Sequence, residues 1–205
     1  MNFKISLLAL SLFASASQAA EKCNFNIDPT TLHVNWTAFK TMQKVGVNGS
    51  FTEVTLESDL SKPGTLHNLM NQIDAEIKVD AATKISTTNP ARDQTIFQNF
   101  FSHFAGKGIL KGKLRNAKGS ESAGTVNLVL EMNKKTLAVP MKYTRDEKGT
   151  TVISGGIDVT DFGLGSALST LNKACDALHK GPDGVSKTWP QVEIKIEANL
   201  SKKCS

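Results

Sequence analysis

The stretch Thr125–Val159, TVNLVLEMNKKTLAVPMKYTRDEKGTTVISGGIDV, decides the fold class. Val126, Leu128, Leu130 and Met132 fall on every second position, Asn133-Lys134 makes a tight turn, and Leu137, Val139, Met141 and Tyr143 resume the alternation. Asp146-Glu147-Lys148-Gly149 then turns the chain into Thr151–Val159. A period of two puts successive side chains on opposite faces of a strand, and a short turn between two such runs makes an antiparallel hairpin. The stretch therefore predicts a meander of antiparallel strands with one face turned to a core.

The same alternation recurs on both sides of it. Val34, Trp36 and Ala38 form one row; Thr52, Val54 and Leu56 another; Ala75, Ile77 and Val79 a third. Leu110, Gly112 and Leu114 alternate with Lys111, Lys113 and Arg115, which predicts an apolar face backed by a basic one, and Val192, Ile194, Ile196 and Ala198 close the series. About eight strands are predicted, several joined as consecutive hairpins, so the chain closes into an up-and-down barrel or packs as a sandwich. A leucine-rich segment, Leu66–Ile73, and two helices interrupt the strands. The first helix starts at Pro90 and carries Phe97, Phe100, Phe101 and Phe104 at three-to-four spacing. The second holds Leu164, Ala167, Leu168, Leu171, Ala174, Cys175 and Leu178 on one face and ends at His179-Lys180-Gly181-Pro182. On that face Cys175 is expected to be a buried structural thiol.

The chain has 205 residues with a net charge of +5, 40% apolar and 21% charged, too apolar for a disordered chain and too polar for a multi-span membrane protein. Lys4, the apolar run Ile5–Ala14 and the small residues around Ser17-Gln18-Ala19 read as a cleavable secretory signal peptide over residues 1–19, leaving one domain over 20–205. An exported, periplasmic protein is expected, in a compartment where cysteines oxidise. Cys23, Cys175 and Cys204 allow three pairings. Antiparallel pairing of the terminal strands favours Cys23 with Cys204.

Catalytic and metal signatures are not supported. Asp161-Phe162-Gly163 lacks the other kinase motifs, Gly106-Lys107 and Gly112-Lys113 lack the phosphate-loop spacing, and Cys175 with His179 lacks further zinc ligands. No cofactor, metal or nucleic-acid partner is expected. The phenylalanines are more informative: ten Phe stand against one Tyr and two Trp, and four of them cluster in Phe97–Phe104. Such a cluster either completes an ordinary core or walls a cavity for an apolar ligand, because an eight-stranded barrel is just wide enough to be filled or to hold one small or thread-like molecule. Leu128, Leu130, Met132, Val139 and Met141 are the wall candidates from the inward rows.

Three segments carry a resemblance. Trp36-Thr37-Ala38-Phe39-Lys40, then Lys44-Val45-Gly46-Val47-Asn48-Gly49-Ser50-Phe51, then Thr87-Thr88-Asn89-Pro90-Ala91-Arg92-Asp93 leading into Phe100-Phe101, resemble the YceI-like family of periplasmic polyisoprenoid-binding proteins. The resemblance covers essentially the whole chain after residue 19. The segment Cys175–Trp189 is similar to a branch of the family with a Cys and a Leu-His-Lys-Gly run. It implies an extended, lipocalin-like antiparallel eight-stranded barrel with helical insertions, whose interior takes a long isoprenoid chain such as that of a quinone or polyprenyl lipid. Trp36, Phe51, Phe100 and Phe101 are then ligand-site positions, and Arg92 and Asp93 either polar groups at the mouth or a structural pair. The expected function is a non-catalytic periplasmic carrier or store for an isoprenoid or similar amphipathic lipid, with transient membrane-surface contact and a homodimer as candidate associations. Two rivals stand beside it: an enzyme acting on a lipid-like substrate, using His67 or His103 near Asp93, and a partner of a membrane redox protein docking through Lys111, Lys113 and Arg115.

Overall fold

The computed structural model describes residues 23–58, 60 and 64–204, so the signal-peptide expectation for residues 1–19 lies outside the described residues. The strands are β1 (Cys23–Ile27), β2 (His33–Lys40), β3 (Val45–Phe51), β4 (Thr55–Leu56), β5 (Asp74–Lys78), β6 (Ile85–Ser86), β7 (Ile109–Gly119), β8 (Ala123–Met132), β9 (Lys135–Arg145), β10 (Thr150–Asp158) and β11 (Thr188–Cys204). The helices are α1 (Leu66–Met70), α2 (Pro90–Asn99), α3 (Gly165–Ala174) and α4 (Asp176–His179). One antiparallel sheet runs β4-β5-β7-β8-β9-β10-β11-β2-β3-β6, with β1 added against β11, and it curls into a lipocalin-like half-barrel. Among the described residues the edges β4 and β6 are not paired with each other; β5 and β3 instead face one another across the interior, where Ala75, Ile77 and Phe51 line the same cavity.

The meander β8–β9–β10 forms as its alternation requires. Val126 pairs Met141 and Leu128 pairs Val139, and Asn133 and Lys134 both take positive φ (54° and 61°), the geometry of a two-residue hairpin turn. The sheet has eleven strands where about eight were predicted. The strands beyond the predicted rows are β1, β3 and β6, of five, seven and two residues. The row predicted at Thr52–Leu56 is a strand only at Thr55–Leu56, and β3 is a separate strand whose residues are exposed or half-buried without alternation of burial.

One end of the barrel is filled. Phe25, Val126, Met141 and Tyr143, with Leu66 and Met70 of α1, are buried there. Met141 packs over β10 because Gly155 has no side chain; a Cβ there would lie 2.4 Å from its Sδ. The same end is closed by the disulfide Cys23–Cys204, directly opposed in the β1–β11 register. Tyr143 donates to the Ser120 carbonyl (2.5 Å) and accepts from Nε2 of His67 on α1 (2.9 Å), and burial raises its phenol pKa.

The helices depart from the predicted pair. α2 begins as its sequence dictates, with Asn89 accepting from the Arg92 N–H (3.1 Å) and Pro90 in the first turn. It stops at Asn99, and Phe101–His103 continue as one 3-10 turn, so the four phenylalanines do not share one continuous helix. The second helix breaks at Cys175, leaving α4 as a separate short turn with Leu178 71% exposed. Cys175 is therefore a half-buried residue at a helix junction rather than part of a buried stripe.

The basic face of β7 is also corrected. Lys111 pairs Glu76 (3.4 Å), Lys113 lies 3.7 Å from Asp74, and Arg115 bonds Asp74 at 2.6 Å, all across the β5–β7 register. Alternation had placed these cations on the outer face without showing that β5 supplies their counter-charges.

Candidate functional site: a two-chamber cavity

Away from the clasped end, the same inward rows leave space. An inner cavity of about 180 Å³ is walled by Leu128, Leu130 and Met132 of β8, Leu110 and Leu114 of β7, and Val192, Ile194 and Ile196 of β11. Leu168 and Leu171 of α3 and Ile96 of α2 roof it. Almost every lining group is hydrocarbon or aromatic, so water inside gains few hydrogen bonds and an apolar chain displaces it favourably.

An outer chamber of about 350 Å³ abuts it, sharing Trp36, Ala38, Ile96, Leu171 and Thr188. Its walls come from the end of β2, the start of α2 and the α3–α4 junction, and they bring Lys40, Arg92, Cys175 and His179 together. The His179 Nδ1 lies 2.7 Å from the Thr188 hydroxyl, which itself donates to Asn172 Oδ1 at 2.8 Å. Thr188 is thus an acceptor toward the imidazole, Nδ1 carries the proton, and Nε2 is left as an acceptor. Burial first and the nearby Lys40 second hold the His179 pKa below 6.5. Burial raises the Cys175 thiol pKa and Lys40 lowers it by less, so the thiol form prevails.

At the waist between the chambers sits Trp36. Its indole is 9% exposed, and its Nε1–H is buried without a hydrogen-bond partner. An unpartnered buried donor costs roughly 1–3 kcal/mol, a cost that a ligand bearing an acceptor would remove.

The sequence candidates divide around this geometry. Trp36, Phe51, Phe100, Phe101, Leu128, Leu130 and Met132 line the inner cavity. Val139 and Met141 point inward but lie outside its lining, and Phe97 and Phe104 pack beside it; the Phe104 ring meets Phe100 edge-on at 5.3 Å and Phe101 at a tilt at 5.2 Å. Arg92 reaches the outer chamber, whereas Asp93 is buried and accepts from the Thr87 N–H (2.8 Å) and hydroxyl (2.6 Å), tying the helix start to the preceding turn. Arg92 and Asp93 therefore have separate roles. His67 bonds Tyr143 and His103 is exposed, so neither meets Asp93 in the polar cluster considered from sequence. Sequence reasoning missed Ile96, Leu110 and the β11 row as walls, although their apolar spacing was visible, and missed Lys40 and His179, which meet only through the fold.

No protein-family model matches the chain, and no curated protein does. Solved structures do share its fold. A polyisoprenoid binding domain from Saccharophagus degradans, described as implicated in plant cell wall breakdown, aligns with a TM-score of 0.57 at 11% identity over 87% of this chain and 98% of its own. BcnA from Burkholderia cenocepacia aligns with a TM-score of 0.52 at 15% identity over 86% and 99%. A mutant YCEI protein from Campylobacter jejuni, crystallised with a monobromobimane guest, aligns with a TM-score of 0.50 at 18% identity over 82% and 90%.

Proposed function

We propose that this chain, which has the YceI-like fold, is an exported, non-catalytic carrier or store for a long-chain amphipathic lipid, an isoprenoid in the first instance. The observation that carries the reading is the contiguity of an all-apolar inner cavity with a chamber bearing Lys40, Arg92 and His179. A chain threaded inward is favoured by about 0.8 kcal/mol per methylene-sized group taken from water. A headgroup left outside meets cations and an imidazole acceptor, with the unpartnered Trp36 N–H buried beside it. The inner cavity lies below the roughly 300–1,000 Å³ of ordinary ligand sites, so a thread entering through the outer chamber fits better than a compact molecule. The polyisoprenoid description of the Saccharophagus domain supports the ligand class. A clasp disulfide suits an oxidising compartment such as the periplasm.

The test is mass spectrometry of lipid extracted from protein expressed with its leader in a Gram-negative host and purified without detergent. The expected result is a stoichiometric long-chain lipid that Leu130→Trp, filling the inner cavity, excludes. Recovery of no lipid, or equal recovery from the filled variant, would sink the proposal.

A further inference from the structure

Four of the five large apolar side chains exposed among the described residues, Met42, Val45, Leu178 and Val185, sit on two neighbouring segments at the open end of the barrel. The segments are the β2–β3 turn and the connection from α4 into β11. They are joined: the Thr41 N–H donates to the Lys187 carbonyl (2.9 Å), Lys40 Nζ reaches the Leu178 carbonyl (3.2 Å), and Trp189 Nε1–H donates to the Thr41 carbonyl (2.7 Å). Leu178 also lines the outer chamber, so this apolar rim borders its entrance.

The rim is cationic. Residues 40–45 and 173–189 carry Lys40, Lys44, Lys173, Lys180 and Lys187 against Asp176 and Asp183, and Arg92 stands across the chamber. Asp176 is engaged by Lys180 at 2.6 Å. Among the described residues, Lys40, Lys44, Lys173, Lys187 and Arg92 have no carboxylate within ion-pair distance, unlike Lys111, Lys113 and Arg115 of β7, which β5 pairs. Lys44 and Lys187 flank the Trp189 ring at 4.4 and 5.0 Å from its centroid. An indole with a polar edge, lysines around it and protruding aliphatic side chains is the composition that settles at a membrane–water boundary.

We infer that this end of the barrel, the β2–β3 turn with the α4–β11 connection, docks on an anionic lipid bilayer. The charge sign selects anionic headgroups. The apolar side chains are spread over the β2–β3 turn, the start of β3, α4 and the connection after it rather than along one face of one element, which suits a fluid bilayer better than a shape-matched protein partner. The outer chamber then opens toward the membrane, the phase from which an apolar chain enters. With only four aliphatic side chains to insert, binding is peripheral and reversible.

The disulfide-bonded chain is tested by co-sedimentation with phosphatidylcholine vesicles containing phosphatidylglycerol and with phosphatidylcholine vesicles alone. Binding is expected on the anionic vesicles and falls as salt is added. Lys44→Gln, Lys187→Gln and Lys173→Gln, the last at an exposed lysine, each lower partitioning roughly fivefold. Met42→Ser with Val185→Ser weakens binding while keeping its salt dependence, and Lys111→Gln with Lys113→Gln leaves it unchanged. Absence of binding to anionic vesicles, equal binding to neutral ones, or losses as large from the β7 variants as from the rim variants overturns the inference. Because vesicle binding is read whether or not lipid occupies the cavity, its failure is distinct from failure of the carrier reading.

Discussion

A Cβ atom on Gly49 would lie 2.1 Å from Cζ2 of Trp36, so the indole rests directly on the backbone of the neighbouring strand. The two residues are register partners in β2 and β3, and the missing side chain on one makes the seat for the ring of the other. That seat keeps the indole at the waist shared by the two chambers.

Gly49→Ala accordingly forces the ring off its seat. The expected cost is that of overpacking, about 1–3 kcal/mol, with the fold kept. Ligand retention falls with it and tryptophan emission shifts; unchanged emission and full lipid occupancy would show that the contact does not set the waist.

Trp36→Phe separates the ring from its N–H. Removing an unpartnered donor offsets part of the lost packing, so the empty protein loses little stability. Affinity for a lipid with an acceptor headgroup drops, while affinity for a plain hydrocarbon of equal length does not. Titration with the two ligand types checks this, and an equal loss for both would mean that the N–H contributes nothing specific.

Opening the clasp acts at the other end. Cys23 and Cys204 are separated by 181 residues, and constraining so long a loop is worth up to roughly 5 kcal/mol in the unfolded-chain account. Replacing both by Ser is expected to cost about 2–5 kcal/mol, read by denaturant or thermal unfolding. The double variant should still bind lipid, since neither cysteine lines either chamber.

His179 supplies the pH dependence. Its folded pKa is held below 6.5, so between the two values the unfolded chain binds more protons than the folded one. Its contribution to stability is complete above about 6.5 and is lost as pH falls through that value toward the folded pKa. Histidine resonances followed by NMR should place His179 below its ordinary value, and Lys40→Ala should move it upward. A His179 titrating above 6.5 contradicts this.

Much of the barrel is legible because a half-buried strand must alternate. The meander from Val126 to Val159, the β11 row and the meeting of Cys23 with Cys204 all follow from that rule and from antiparallel ends. β3 escapes it, since Gly49 interrupts the row on the face it shares with Trp36, where its missing side chain is needed to seat the indole. The phenylalanine cluster is half legible: its spacing reveals an apolar surface, but not that the helix ends at Asn99 and turns Phe100 and Phe101 toward the cavity.

Alternation determines which side of a strand faces inward, and short turns make consecutive strands neighbours along β7–β8–β9–β10; both are local properties of the residues. Depth along the barrel axis is not local. Met141 fills the clasped end because Gly155 admits it, while Leu130 and Met132, on the neighbouring strand, look into empty space. The outer chamber is less local still, gathering Lys40, Arg92, Cys175 and His179 from segments that touch only after the sheet has curled. Which cations are paired is likewise decided across strands: Glu76 and Asp74 of β5 engage Lys111, Lys113 and Arg115 of β7, whereas no carboxylate among the described residues pairs Lys40, Lys44, Lys187 or Arg92, which the fold gathers around the mouth.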